Sequence, residues 1–196
     1  MQARARVGVL AIQGDVEAHG RSLERLGCAV VPVLRGSELQ SLDALILPGG
    51  ESTTIAKGLD RLGLYSPLRE AARGGLPILG TCAGAILLGR QVEVDRHPVE
   101  SLGLLDVASV RNAYGTQVDS FSTVAESELE DLECVFIRAP RLRCPGPDVE
   151  VLARVDGWPV FIRQGTALAT TFHPELTDDL RVHRMLLSLA PEPPVR

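Results

Sequence analysis

The stretch Leu76-Pro77-Ile78-Leu79-Gly80-Thr81-Cys82-Ala83-Gly84-Ala85-Ile86-Leu87-Leu88 constrains this chain more than any other. It reads as a buried strand, a Gly-x-Cys-x-Gly turn and an apolar helix. This is the pattern of a nucleophile elbow, in which a strained strand-to-helix turn lifts one side chain above a sheet. Here sulfur takes the place of the usual serine oxygen. Glycine flanks the nucleophile because no Cβ fits where strand and helix backbones converge. Cys82 then stands at a helix N-terminus, where unpaired N–H groups and the macrodipole favour an anion such as a thiolate. The competing reading is a buried structural cysteine, since free cysteine is among the most buried residue types. Two glycines at this spacing favour the elbow.

The chain has 196 residues, enough for one domain with a full core. Its net charge is −5, and its basic residues are scattered, which argues against nucleic acid and anionic membranes as partners. No run approaches the roughly 20 apolar residues that span a bilayer. The opening Met-Gln-Ala-Arg-Ala-Arg has no signal-peptide pattern, so a cytoplasmic location is expected. The cysteines Cys28, Cys82, Cys134 and Cys144 lack C-x-x-C spacing, which argues against a zinc site or a disulfide framework. Cys28 and Cys134 sit in strand-like apolar contexts and are expected in the core, whereas Cys144 reads as a loop thiol.

Taken in order, Val7–Ile12 is a short apolar run of the kind that forms a parallel strand covered on both faces. Asp15 is placed to cap a helix from Val16 to about Leu26, closed by Gly27. Ala29–Leu34 is a second strand, with Pro32 arguing for an edge, and Asp43–Pro48 a third. Strand, helix, strand, short helix, strand is the order of a doubly wound parallel sheet, whose sites form beyond the carboxyl ends of the strands. The third strand runs into Pro48-Gly49-Gly50-Glu51-Ser52-Thr53-Thr54, a flexible loop at a helix start. A helical stretch from about Thr54 to Arg73, interrupted near Gly63-Leu64-Tyr65, leads to the elbow. From Gly103 onward short alternating runs appear: 104–110, 118–124, 134–137, 149–155, 158–164 and 167–172. The Asp156-Gly157 pair between two of them signals a hairpin. A mixed or antiparallel extension of the parallel core follows, then a helix with Leu180, Val182, Met185, Leu186 and Leu189 on its apolar side. The expected organisation is one domain over residues 1–190 and a Pro-rich tail over 191–196.

A cysteine nucleophile needs a base, and the base needs a group that orients it. His19 and His183 fall within predicted helices and His97 in a polar loop, so each reads as surface or structural. His173 instead ends an apolar strand, where a doubly wound fold gathers its site. Glu175 follows at i+2, on the same side of an extended chain. Its carboxylate can accept from one imidazole nitrogen while the other faces Cys82.

Gly80-Thr81-Cys82-Ala83-Gly84 together with His173-Pro174-Glu175 resembles the class I (triad) glutamine amidotransferases. Four motifs narrow the likeness: Pro48 to Thr53, Arg111 to Phe121, Phe136-Ile137-Arg138-Ala139-Pro140 and His173 to Thr177. Together they are similar to the glutaminase subunit of the two-protein pyridoxal 5′-phosphate synthase. The resemblance implies a flavodoxin-like α/β fold and a catalytic triad of Cys82, His173 and Glu175. It implies a glutamine pocket of Gly50, Glu51, Ser52, Arg111, Ile137 and Arg138. For the oxyanion it implies Ala83, the Gly49-Gly50 loop and Gln13. It implies no cofactor and no metal, and the partner that uses the ammonia is expected to be a (β/α)8 synthase subunit. Glu51 is of the right charge to meet the α-ammonium of glutamine, and an arginine suits its α-carboxylate. Three readings stand beside this one: a glutaminase serving a different synthase, a stand-alone cysteine peptidase or γ-glutamyl hydrolase, and a non-catalytic redox-sensing domain.

Overall fold

The computed structural model describes residues 4–92, 99–110, 120–127, 130–143 and 145–190. The first half alternates strand and helix: β1 (Arg6–Leu10), α1 (Val16–Arg25), β2 (Ala29–Val33), a 3₁₀ segment (Gly36–Ser41), β3 (Ala44–Leu47), α2 (Ser52–Arg61), α3 (Tyr65–Arg73), β4 (Ile78–Thr81) and α4 (Ala83–Leu88). Then come β5 (Gly89–Val92), β6 (Leu105–Val110), β7 (Phe121–Ser127), β8 (Leu132–Phe136), β9 (Arg141–Arg143), β10 (Glu150–Val155), β11 (Trp158–Gln164), β12 (Ala167–Thr170), a 3₁₀ turn (Pro174–Leu176) and α5 (Arg181–Ser188).

A nine-stranded sheet runs β2-β1-β3-β4-β12-β11-β10-β7-β8. Its first five strands pair in parallel, and from β12 onward every pairing is antiparallel. This is the doubly wound core with an antiparallel extension. Pro32 lies on β2, the edge strand, where a missing N–H costs no ladder bond. A separate three-stranded sheet, β5-β6-β9, was not anticipated. Arg141–Arg143 is too short and too polar to announce itself as a strand.

Side chains alternate across the parallel strands as a sheet buried on both faces requires. Val7, Val9, Ala44, Ile46 and Leu79 pack on one side, with Leu23 of α1 and Val182 and Leu186 of α5. Leu10, Leu45, Leu47 and Ile78 pack on the other, with Ile55 and Leu59 of α2, Leu68 of α3 and Leu87 of α4. Cys28 and Cys134 are buried in the first of these clusters, as expected from their contexts. The β10–β11 hairpin turns at Asp156 and Gly157 with φ of 49° and 76°, the positive pair that a tight hairpin turn demands. No helix among the described residues is long and apolar enough to cross a membrane. Arg111, His97, Cys144 and the tail 191–196 lie outside the described residues.

Candidate active site

Four strand ends converge on one cavity of about 410 Å³. The loop after β1 supplies Gln13 and Asp15, the loop after β3 supplies Gly50, Glu51 and Ser52, the turn after β4 supplies Cys82 and Ala83, and the segment after β12 supplies His173. Ile137, Arg138 and Pro140, following β8, close it from the extension. Glu175 lies behind His173 rather than in the cavity wall, and Arg111 lies outside the described residues. A larger cavity of about 640 Å³ opens between the 3₁₀ segment and α3, lined by Asp43 and Pro77 just before β3 and β4. It lies at the amino ends of those strands, and its lining among the described residues holds no cysteine or histidine.

Backbone geometry at the elbow explains its glycines. Cys82 adopts φ 49° and ψ −101°, a sparsely populated conformation of order 1–3 kcal/mol in cost for a residue with a Cβ. It is held there by its N–H, which donates to the Thr170 carbonyl of β12 at 2.8 Å. A Cβ on Gly84 would sit 2.0 Å from the Leu47 carbonyl oxygen, and one on Gly80 would sit 2.6 Å from the Gly84 carbonyl. Only glycine lets α4 close onto β3 and β4. Ala83 opens α4, so its N–H belongs to the first turn, which has no intrahelical acceptor.

His173 Nδ1 donates to Glu175 Oε1 at 2.8 Å, and Asp15 Oδ2 lies 3.8 Å from the same nitrogen. Both His173 and Glu175 are buried. Burial opposes a charged His173 ring, but the neighbouring Cys82 sulfur and Glu175 carboxylate outweigh it and raise its pKa to about 10; His173 Nε2 itself makes no hydrogen bond among the described residues. Burial likewise opposes the Glu175 carboxylate, yet its two imidazole neighbours, His19 and His173, hold its pKa below the ordinary value. An ionised Glu175 beside a protonated His173 follows. The Cys82 sulfur also faces the Ile137 carbonyl at 3.8 Å. That carbonyl is presented by a strained turn in which Arg138 has φ 45°.

Other acidic and imidazole groups near the cavity have defined partners. Glu51, expected to meet the ammonium of glutamine, lines the cavity, and its carboxylate accepts from the N–H groups of Thr53 and Thr54 and the Thr54 hydroxyl, capping α2. Burial works against its charge, but these donors win and bring its pKa to about 2. Asp15 occupies the residue before α1 without its side chain accepting from the helix. His19 and His183, read as surface or structural, are fully buried, and His19 Nε2 lies 3.4 Å from Glu175 Oε2. The sequence carried a faint signal, because His19 shares the stripe Val16, His19, Leu23 that a helix buries. Gln13 Oε1 accepts from the Glu51 N–H at 2.8 Å, so Gln13 ties the first loop to the glycine loop.

The sequence matches the SNO glutamine amidotransferase family over residues 9–190. The chain belongs to that family. It is 52% identical to a protein of Parafrankia named pyridoxal 5′-phosphate synthase subunit PdxT, over 94% of this chain and 92% of that one. A Fervidobacterium nodosum protein of the same name is 45% identical, over 95% of this chain and 97% of its relative. Among solved structures, a glutamine amidotransferase superposes with a TM-score of 0.88 at 46% identity, covering 93% of this chain and 97% of that one. A second glutamine amidotransferase, from Thermotoga maritima, superposes with a TM-score of 0.64 at 13% identity, covering 96% and 95%, a likeness of fold. Family and fold agree with the doubly wound sheet and make this chain an enzyme of the glutamine amidotransferase type.

Proposed function

We propose that this chain is the glutaminase subunit of a pyridoxal 5′-phosphate synthase, hydrolysing L-glutamine to glutamate and ammonia for a separate barrel subunit that consumes the ammonia. Cys82 is the nucleophile, His173 the acid and base, and Glu175 the group that orients and charges the ring. The observation that carries this reading is the His173–Glu175 bond at 2.8 Å in the wall of the cavity that Cys82 also lines.

The thiolate of Cys82 attacks the side-chain carboxamide carbon of glutamine, and the carbonyl π electrons move onto oxygen. That oxyanion is stabilised by N–H donors aimed at it, each worth about 2.7–4 kcal/mol in such sites. Ala83 supplies one donor, and the Gly49-Gly50 loop is the source of the second. Collapse of the intermediate breaks the C–N bond as His173 gives its proton to the departing nitrogen. Ammonia leaves and a γ-glutamyl thioester remains. Neutral His173 then takes a proton from water as the water attacks, and a second oxyanion collapses to glutamate with return of the thiolate.

Arg138, at the cavity rim, and Arg111 are the cationic candidates for the substrate carboxylate. Glu51 contributes through the loop it caps, and Ser52, Gly50 and Ile137 complete the pocket. Gly50 has φ 154° beside a second glycine, a pair free to exchange peptide orientation. Docking of the barrel subunit sets the donor in place. The reaction is assigned to the cytoplasm. Residues 1–190 form the working domain.

The test is release of glutamate and ammonia by the purified chain, with and without the cognate barrel synthase, alongside Cys82→Ala. Low activity alone, strong activation by the partner and none in the variant is the expected result. Full activity without a partner would instead favour a stand-alone hydrolase.

A further inference from the structure

Glu175 meets a second imidazole on the side away from His173. His19, from α1, brings Nε2 to 3.4 Å from Glu175 Oε2 and to 3.3 Å from Thr81 Oγ1 of β4. Its other nitrogen, Nδ1, lies 3.0 Å from Nε2 of His183 in α5. The two rings are tilted at 59° with centroids 5.3 Å apart, and both residues are fully buried. The last nitrogen of this series, His183 Nδ1, is buried with no hydrogen-bond partner among the described residues.

That unpartnered atom decides where the protons are. Burial holds both rings neutral, driving His183 to about 4 and lowering His19 despite the nearby carboxylate. A neutral imidazole has one N–H. A proton on His183 Nδ1 would be a buried donor without an acceptor, and it would force the His19 proton onto Nδ1, leaving a bare Nε2 lone pair turned towards the Glu175 carboxylate. His183 therefore carries its proton on Nε2 and donates to His19 Nδ1. This assigns the His19 proton to Nε2, aimed between Glu175 Oε2 and Thr81 Oγ1. Glu175 Oε1 accepts from His173, and Glu175 Oε2, which makes no hydrogen bond among the described residues, has the His19 Nε2–H at 3.4 Å.

We propose that His19, its tautomer set by His183, is a positioning residue of the glutaminase: it fixes the Glu175 carboxylate and keeps it ionised so that Glu175 can hold His173 against Cys82. The inference rests on the triad reading above and extends it by two residues. The ionisable groups that face this chain are Asp15 before α1, Cys82 at the elbow, His173 and Glu175 after β12, and Asp179 before α5, which acts on His183.

The variant His19→Leu keeps the volume and removes the donor, whereas His19→Gln keeps an amide N–H at the position of Nε2. With the barrel partner present, loss of the buried donor beside the charged Glu175 should lower kcat about tenfold in His19→Leu. The acid limb of both kcat and Cys82 alkylation by iodoacetamide should move up by about one pH unit, because Glu175 is then easier to protonate. His19→Gln should restore both. A folded His19→Leu with an unchanged profile overturns the inference, as does a His19→Gln that falls equally far without a pH shift, since that is a packing effect. Glu175→Gln separates the two claims. If it retains activity the triad reading fails and this inference with it; if it alone is impaired, only the role of His19 fails. Should His19→Leu not fold, long-range ¹⁵N–¹H spectra of the wild-type imidazoles decide the matter. A neutral His19 protonated at Nε2 supports the assignment, and an Nδ1–H tautomer or a cation at pH 7 overturns it.

Discussion

Replacement of Gly84 by alanine tests whether close approach of α4 to β3 is what aims the nucleophile. The added Cβ would lie 2.0 Å from the Leu47 oxygen, 2.8 Å from its carbonyl carbon and 3.0 Å from its Cβ. The first two are backbone atoms of a fully buried strand, so no side chain can swing aside. Restoring an ordinary contact of 3.4 Å needs a shift of about 1.4 Å between α4 and β3, and overpacking of this kind costs about 1–3 kcal/mol. The upper part of that range applies here because the obstacle is backbone. Against it stands a gain of up to about 1 kcal/mol from the better helix propensity of alanine. A net loss of about 2 kcal/mol is expected. Activity should suffer more than stability, because Cys82 is the residue before α4 and moves with it, and a 1 Å misplacement can cost about 10²-fold in rate. Urea unfolding gives the first quantity and partner-activated glutamine hydrolysis the second. Gly75→Ala is the comparison: its φ of 91° imposes strain, but no described atom lies within 4 Å of the new Cβ and the site is remote. It should lose about 1–2 kcal/mol from the left-handed conformation and keep its kcat. A Gly84→Ala protein within about 0.5 kcal/mol of wild type and fully active would refute the packing argument.

Two further outcomes follow from the loop geometry. In Gly50→Ala the new Cβ would stand 2.6 Å from Gln13 Oε1, displacing the acceptor of the Glu51 N–H; activation by the barrel subunit should fall, and undiminished activation would remove this loop as the switch. Glu51→Ala should cost about 1 kcal/mol at pH 7 through loss of the α2 cap. Because the folded pKa of Glu51 is depressed to about 2 from an unfolded value near 4.3, the stabilisation is present above that unfolded value and is lost as pH falls towards 2. The two proteins should therefore converge in unfolding experiments at acid pH, and a constant gap would contradict the capping role.

The parallel core was legible because each strand is a short apolar run and each crossover ends at a turn residue. The elbow was legible because two glycines bracket a cysteine between a strand and a helix. The β5-β6-β9 sheet was not, since a strand such as Arg141-Leu142-Arg143 carries one apolar residue and borrows its burial from neighbours. His173 and Glu175 could be paired because they are local and share a side of an extended segment. His19 and His183 stand 164 residues apart, and a histidine on a buried helical stripe does not reveal which polar group it will meet. Glu51 shows the opposite limit. Its charge suggested a ligand for the substrate, while its position, one residue before α2, made it a cap for donors the helix itself leaves unpaired.

Turnover should pass through a covalent bond to Cys82. Acid quenching of the complex during hydrolysis of ¹⁴C-glutamine, followed by peptide mapping, tests it directly. Label is expected on the peptide that contains Cys82, sensitive to hydroxylamine and absent from Cys82→Ala. Glutamate release without label at Cys82, or label on Cys28 or Cys134 instead, would contradict it.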